Sequence, residues 1–122
     1  MSSNPRQPRG LGAAGVRFWK ETVAVFDFSE ESGKLLMLEQ AAKVCDVIAT
    51  LERAAASAPL TVLGSARQIT INPLISEIRF QRGLLAQLVA KLGLPDTDEE
   101  RAEKAEQLSR TRRKAAKLRL AK

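Results

Sequence analysis

The sequence predicts a mainly α chain: an antiparallel helical hairpin core, an N-terminal helix packed across it, a small β-hairpin and a basic C-terminal helix. Three observations predict this class. Apolar residues recur at spacings of three and four through three long segments, which is the period of a helix with a buried stripe. Only one stretch, "APLTVLGSARQITINP", carries short β-branched runs with a turn-forming sequence between them. Helix start and stop residues punctuate the boundaries, most clearly around Asn72–Pro73 and Gly93–Pro95. The 122 residues suffice for one domain with a modest core. We divide them into a flexible basic arm (1–10), a helical oligomerisation core (11–95) and an acidic linker with a basic C-terminal helix (96–122).

Residues 1–10 hold Pro5, Pro8 and Gly10 and no apolar residue after Met1, so an arm is expected there. The first helix is expected from about Gly12 to Phe26, with Val16, Trp19, Val23 and Phe26 as its stripe. Trp19, the single tryptophan, is expected as a core anchor. Ser29 suits the N-cap of a second helix, from about Glu30 to Ala56. Its stripe is Leu35, Leu38, Ala42, Cys45, Ile48 or Ala49, and Leu51. At about 39 Å this helix is long for so small a domain, and part of it is expected to need a partner outside its own chain. Thr61–Leu63 and Gln68–Ile71, joined by "GSAR", read as a hairpin at about 61–71. An isolated hairpin is marginal, so it must lean on the helices or on a neighbouring subunit.

The third helix, "NPLISEIRFQRGLLAQLVAKLGLPD", has more apolar surface than one face requires. Leu74, Ile78, Leu85, Leu88 and Leu92 form a stripe assigned to the core. Phe80, Leu84 and Leu88 form an adjoining face assigned, with Val62 and Ile69 of the hairpin, to contacts between subunits. The fourth helix, about Glu99 to Leu120, has only a thin stripe of Ala102, Ala105, Leu108, Ala115 and Leu118. Such a helix is weakly held by its own chain.

The composition excludes much chemistry. No histidine is present, which removes His-ligated metal sites, His acid–base catalysis and the usual acyl-transfer triad. One cysteine, Cys45, allows no intrachain disulfide and is expected to be buried and inert. No glycine pattern matches a phosphate-binding or dinucleotide loop. Asp96, Asp98, Glu99 and Glu100 read as a solvated linker that starts a helix, since they lack calcium-loop spacing. The chain is therefore read as a non-enzyme with no metal and no cofactor. It shows neither a signal core nor an apolar run near the roughly 20 residues that span a bilayer, so a soluble, intracellular protein without membrane contact is expected.

Net charge is +6, and its distribution matters more than its size. Residues 1–20 carry four basic groups and no acid, residues 21–98 are net −3, and residues 99–122 are net +5. Basic ends around an acidic middle are suited to holding a polyanion. In "SRTRRKAAKLRLAK", Arg110, Arg113, Lys114 and Lys117 fall on one broad helical face, and Arg112 and Arg119 widen it. Arg6 and Arg9 supply charge at the other end. Arg79 and Arg82 on the third helix are further candidates, or pair with acids such as Glu77 or those of helix two. Phosphate neutralisation by such groups gives salt-sensitive binding without base reading.

Four blocks, "LGAAGVRFWKETVAVF", "LEQAAKVCDVIATLE", the hairpin leading into helix three, and "SRTRRKAAKLRLAK", together resemble the small terminase subunit of tailed bacteriophages over residues 11–122. The most specific parts are Gly12, Gly15 and Trp19 in a Gly-x-x-Gly-x-x-x-Trp start, the spacing of Pro73, Glu77 and Arg79, and the Leu-Gly-Leu-Pro stop at 92–95. The resemblance implies a ring-forming homo-oligomer in the host cytoplasm. It would bind double-stranded viral DNA and recruit or regulate the large terminase subunit, an ATPase and nuclease, to start genome packaging. Many such subunits begin with a helix-turn-helix domain. Here about ten residues precede helix one, so DNA contact is expected from the basic arms or from arginines facing a ring channel. The alternative is a small dimeric regulatory or scaffold protein whose basic tail binds RNA or an acidic protein.

Overall fold

The computed structural model describes residues 5–28, 32–93 and 98–120. They form four helices and a two-stranded antiparallel sheet, in the order α1 (Ala13–Val23), α2 (Ser32–Ala55), β1 (Thr61–Leu63), β2 (Ile69–Ile71), α3 (Pro73–Leu92) and α4 (Asp98–Leu120). The expected Ser29 cap and the stop beyond Gly93 lie outside the described residues.

Helix α1 presents Gly15, Trp19, Thr22 and Val23 to the interior, an i, i+4, i+7, i+8 pattern that makes one helical stripe. It ends three residues earlier than expected. Val25 and Phe26 donate their N–H groups to the Thr22 carbonyl, closing a turn that folds Phe26 and Phe28 back toward the core. Trp19, Val23, Phe28, Leu38 and Leu92 form the central cluster, flanked by half-buried Phe18, Phe26 and Leu35. Burial of residues this large is the main stabilising term for the domain.

Helix α2 is about 36 Å long over its 24 residues. Both neighbours run antiparallel to it. For α1, Gly12 and Gly15 lie at Asp46 while Trp19 and Val23 join Leu38. For α3, Arg82 meets Glu52 while Leu92 joins Leu38. The length of α2 is thus largely used within the chain, because α1 and α3 flank it together. Two partners within the chain therefore take up much of the length that the sequence assigns to an outside one. This arrangement also explains why α2 buries Ala41 and Val44 in addition to Leu38, Ala42 and Ile48: it serves two interfaces. What remains for solvent is Leu36, at 65% exposure, and Val47.

Helix α3 starts at a fully used asparagine. Asn72 Oδ1 accepts from the Leu74 N–H at 3.0 Å, its Nδ2 donates to the Pro59 carbonyl at 2.9 Å, and its own N–H donates to Leu60. Pro73 occupies the first helical position, where a missing N–H costs nothing. The helix ends at Gly93, whose φ of 70° is left-handed and suits glycine at this cap.

Strands β1 and β2 pair as Thr61 with Ile71, Val62 with Thr70 and Leu63 with Ile69. The loop between them turns tightly: Arg67 donates to the Gly64 carbonyl, Gly64 donates to Gln68, and Arg67 takes the left-handed φ of 64°. A type of turn with one left-handed residue matches the twist of a hairpin with a three-residue loop.

Candidate nucleic-acid interface

The site is built on α4, which touches the rest of the chain along one narrow line. Leu108 is buried. Lys104 places its ammonium 5.1 Å from the centre of the Phe26 ring, a cation–π contact. The Arg112 guanidinium reaches the Phe26 carbonyl at 3.4 Å. All three meet the 24–28 turn that follows α1. Burial lowers the Arg112 pKa from its ordinary value, against an opposing pull from Asp27, and Arg112 Nε has no hydrogen-bond partner.

The docking line decides which way the charges face. With about 100° between successive residues, Leu108, Arg112 and Arg119 share the inward side. Arg110, Arg113, Lys114 and Lys117 lie on the opposite side, as the sequence predicts, and surround one hollow on the surface. Arg112 is therefore no widening of that face; it is the polar part of the docking line. Arg119 lies on its side of the helix but beyond the docked stretch, where it is exposed. Arg110 is partly neutralised by an ion pair with Glu106 one turn earlier. Among the described residues, Arg113, Lys114 and Lys117 form no ion pair.

The other candidates are scattered. Arg6 and Arg9 are exposed on an irregular segment beside the start of α2, around a groove that Trp19, Leu35 and Leu36 also line. Arg79 is exposed on α3. Arg82 is held by Glu52 of α2 at 2.9 Å, and Glu77 accepts from Gln81 instead of pairing with Arg79. Arg82 thus belongs to an exposed ion pair across the α2–α3 seam.

The proposed subunit contacts divide as well. Phe80 is 67% exposed, whereas Leu84 and Leu88 are half-buried against their own chain. On the hairpin, Val62 and Ile69 point to opposite faces, because side chains alternate along a strand and Val62 pairs with Thr70. A subunit contact through both would have to cover both faces of the hairpin. The apolar face is formed by Leu63, Ile69 and Ile71, exposed by 70%, 76% and 45%.

Two features have no local signal in the sequence. Asp46 of α2 receives the N–H groups of Gly12 and Gly15 at 2.8 Å each, acting as the N-terminal cap of α1 from a different helix. A Cβ on Gly15 would lie 2.5 Å from that carboxylate and 2.7 Å from the Ala42 carbonyl oxygen, so the Gly-x-x-Gly spacing is the imprint of this close approach. The second is a shallow cleft between α1 and α4, lined by Lys20, Val23, Ala24, Ser109, Arg112 and Arg113.

Among the described residues, no three metal-ligating side chains cluster, and no helix is long and apolar enough to cross a membrane. Asp96 lies outside the described residues. Comparison with protein-family models, curated proteins and solved structures finds no match for this chain.

Proposed function

We propose that the chain is the small terminase subunit of a tailed bacteriophage, a non-enzymatic adaptor that binds double-stranded viral DNA. It presents that DNA to the large, ATP-hydrolysing and DNA-cutting subunit in the host cytoplasm. The observation that carries this reading is the hollow of Arg110, Arg113, Lys114 and Lys117, displayed outward on a helix whose opposite side is docked. Cations at this density, three of them without an ion pair among the described residues, suit the phosphate backbone in preference to a particular sequence. Assembly of several copies into a ring is part of the same proposal. It is supported by the apolar hairpin face of Leu63, Ile69 and Ile71, which no helix of its own chain covers. The resemblance of the Gly12, Gly15, Trp19 start to small terminases supports the specific family, and the Asp46 clamp gives that spacing a physical reason.

Light scattering or mass photometry with and without duplex DNA tests the proposal. We expect a particle of several 13.3 kDa chains that gains the mass of DNA at low salt. A single-chain mass at micromolar protein would eliminate the ring. A dimer without affinity for duplex DNA would point to the regulatory alternative.

A further inference from the structure

The hollow on α4 and the cleft between α1 and α4 share a wall. Arg113 lines both, with Arg110, Lys114 and Lys117 on one side and Lys20 and Ser109 on the other. No carboxylate lines either space. Lys20 and Arg113 are exposed, and among the described residues neither forms an ion pair. Lys20 stands in the last turn of α1, a helix fixed at its start by Asp46 and at its middle by buried Trp19. Its backbone position is therefore set by the core, not by the lightly docked α4.

We propose that the α1–α4 cleft is a second backbone-phosphate site for duplex DNA, with the Lys20 ammonium, the Arg113 guanidinium and the Ser109 hydroxyl as its donors. The inference rests on the DNA-binding reading above and extends it from one helix to two elements. A row of charges on a single helix lets a duplex roll about that row. A donor on a second, rigidly placed helix removes that freedom and fixes the orientation of the strand, which is what phosphate contacts do in protein–DNA interfaces. The cleft walls Val23 and Ala24 are apolar, which lowers the local dielectric and strengthens attraction to an anion beside them.

The test is fluorescence anisotropy of a short duplex of arbitrary sequence with the full chain, across a potassium chloride series. Wild type is compared with Lys20→Ala, Lys20→Glu, Lys20→Arg and the triple variant Arg110→Ala, Lys114→Ala, Lys117→Ala, with particle mass and thermal unfolding recorded for each. Loss of one phosphate contact lowers the slope of log K against log salt by about 0.9, corresponding to about five- to tenfold weaker binding near 0.1 M salt. We expect this for Lys20→Ala, a larger loss for Lys20→Glu and recovery in Lys20→Arg, all at unchanged mass and stability. An unchanged slope in both Lys20→Ala and Lys20→Glu, with binding lost in the triple variant, overturns the cleft and leaves the DNA-binding proposal standing. No effect in any variant overturns both. A loss in Lys20→Ala that Lys20→Arg does not restore also overturns the cleft, since a phosphate site accepts either cation.

Discussion

Asp46 shows how a single side chain can set the relation between two helices. The first N–H groups of a helix have no partner within it, and α1 has no side-chain cap of its own at Gly12. The carboxylate of Asp46 satisfies two of them and places negative charge at the positive end of the helix dipole. Gly15→Ala must push α1 away from both Asp46 and the Ala42 carbonyl, so we expect a loss of about 1–3 kcal/mol in urea unfolding. Asp46→Ala leaves two donors without a partner and should cost about 1–2 kcal/mol. Because both changes act on one contact, the double variant should lose clearly less than their sum; strict additivity would mean that Asp46 and Gly15 act independently. The neighbouring Cys45 is half-buried, and its thiol pKa is raised by that burial and, secondarily, by the charge of Asp46. A raised folded-state pKa keeps the thiol protonated, so its contribution is intact below the ordinary thiol pKa and is lost as pH rises through the folded value. The unfolding midpoint should therefore fall more steeply above the ordinary thiol value in wild type than in Cys45→Ala. The same shift predicts that iodoacetamide alkylates the native thiol more slowly than the urea-unfolded one at pH 8 to 9; equal rates would refute it.

The elements differ in how they are held, and α4 is held least. Among the described residues, its attachment rests on Leu108, the Lys104–Phe26 contact and Arg112, which meet the 24–28 turn. Leu108→Ala truncates the one large buried apolar side chain among the described residues of α4, and a buried leucine truncated to alanine costs about 2–5 kcal/mol. That is enough to detach α4 while α1, α2 and α3 remain packed. Limited trypsin digestion should then cut at Arg110, Arg112 and Arg113 much faster, with the thermal midpoint of the remaining helices little changed; an unchanged cutting rate would show that the helix is retained by something else. The same comparison shows what was legible in the sequence. The α3 boundaries were readable at Asn72, Pro73 and Gly93 because capping is decided by residues within a few positions of one another. The presence of the hairpin was readable in its β-branched runs, but its register, and with it which apolar residues share a face, was not, because that depends on pairing across the turn. The inward turn of Arg112 toward Phe26 spans 86 positions, and the Asp46 clamp spans 31 and 34. Contacts of that range follow from how the helices pack. Periodicity pointed to the antiparallel pairing of α2 with α3, with α1 packed across them, but could not show that α1 would run antiparallel along α2 with its start at Asp46.

At the scale of the whole molecule, charge and apolar surface occupy different places. The outward cations sit on α4 at the end of the chain, while the exposed apolar face of Leu63, Ile69 and Ile71 sits on the hairpin between α2 and α3. Such a division lets one surface bring copies together while the other meets DNA, and it makes the two functions separable by mutation. Three large apolar side chains on a two-stranded sheet, with free strand edges beside them, are a surface that proteins normally cover or blunt with charge. Leu63→Lys with Ile69→Lys puts two ammonium groups on that face. As both residues are exposed in the single chain, its helical content and unfolding midpoint should stay near wild type. Covering this face with a second copy would bury both charges, at a cost of several kcal/mol each. We therefore expect the particle mass to fall toward that of one chain. Thr70→Lys is the control: it is exposed on the opposite face of the same strand, one position away, and should leave the mass unchanged. Loss of assembly in Thr70→Lys alone would move the interface to the Val62 side. An intact particle in the double-lysine variant would move it off the hairpin, with Phe80 on α3 the next surface to test.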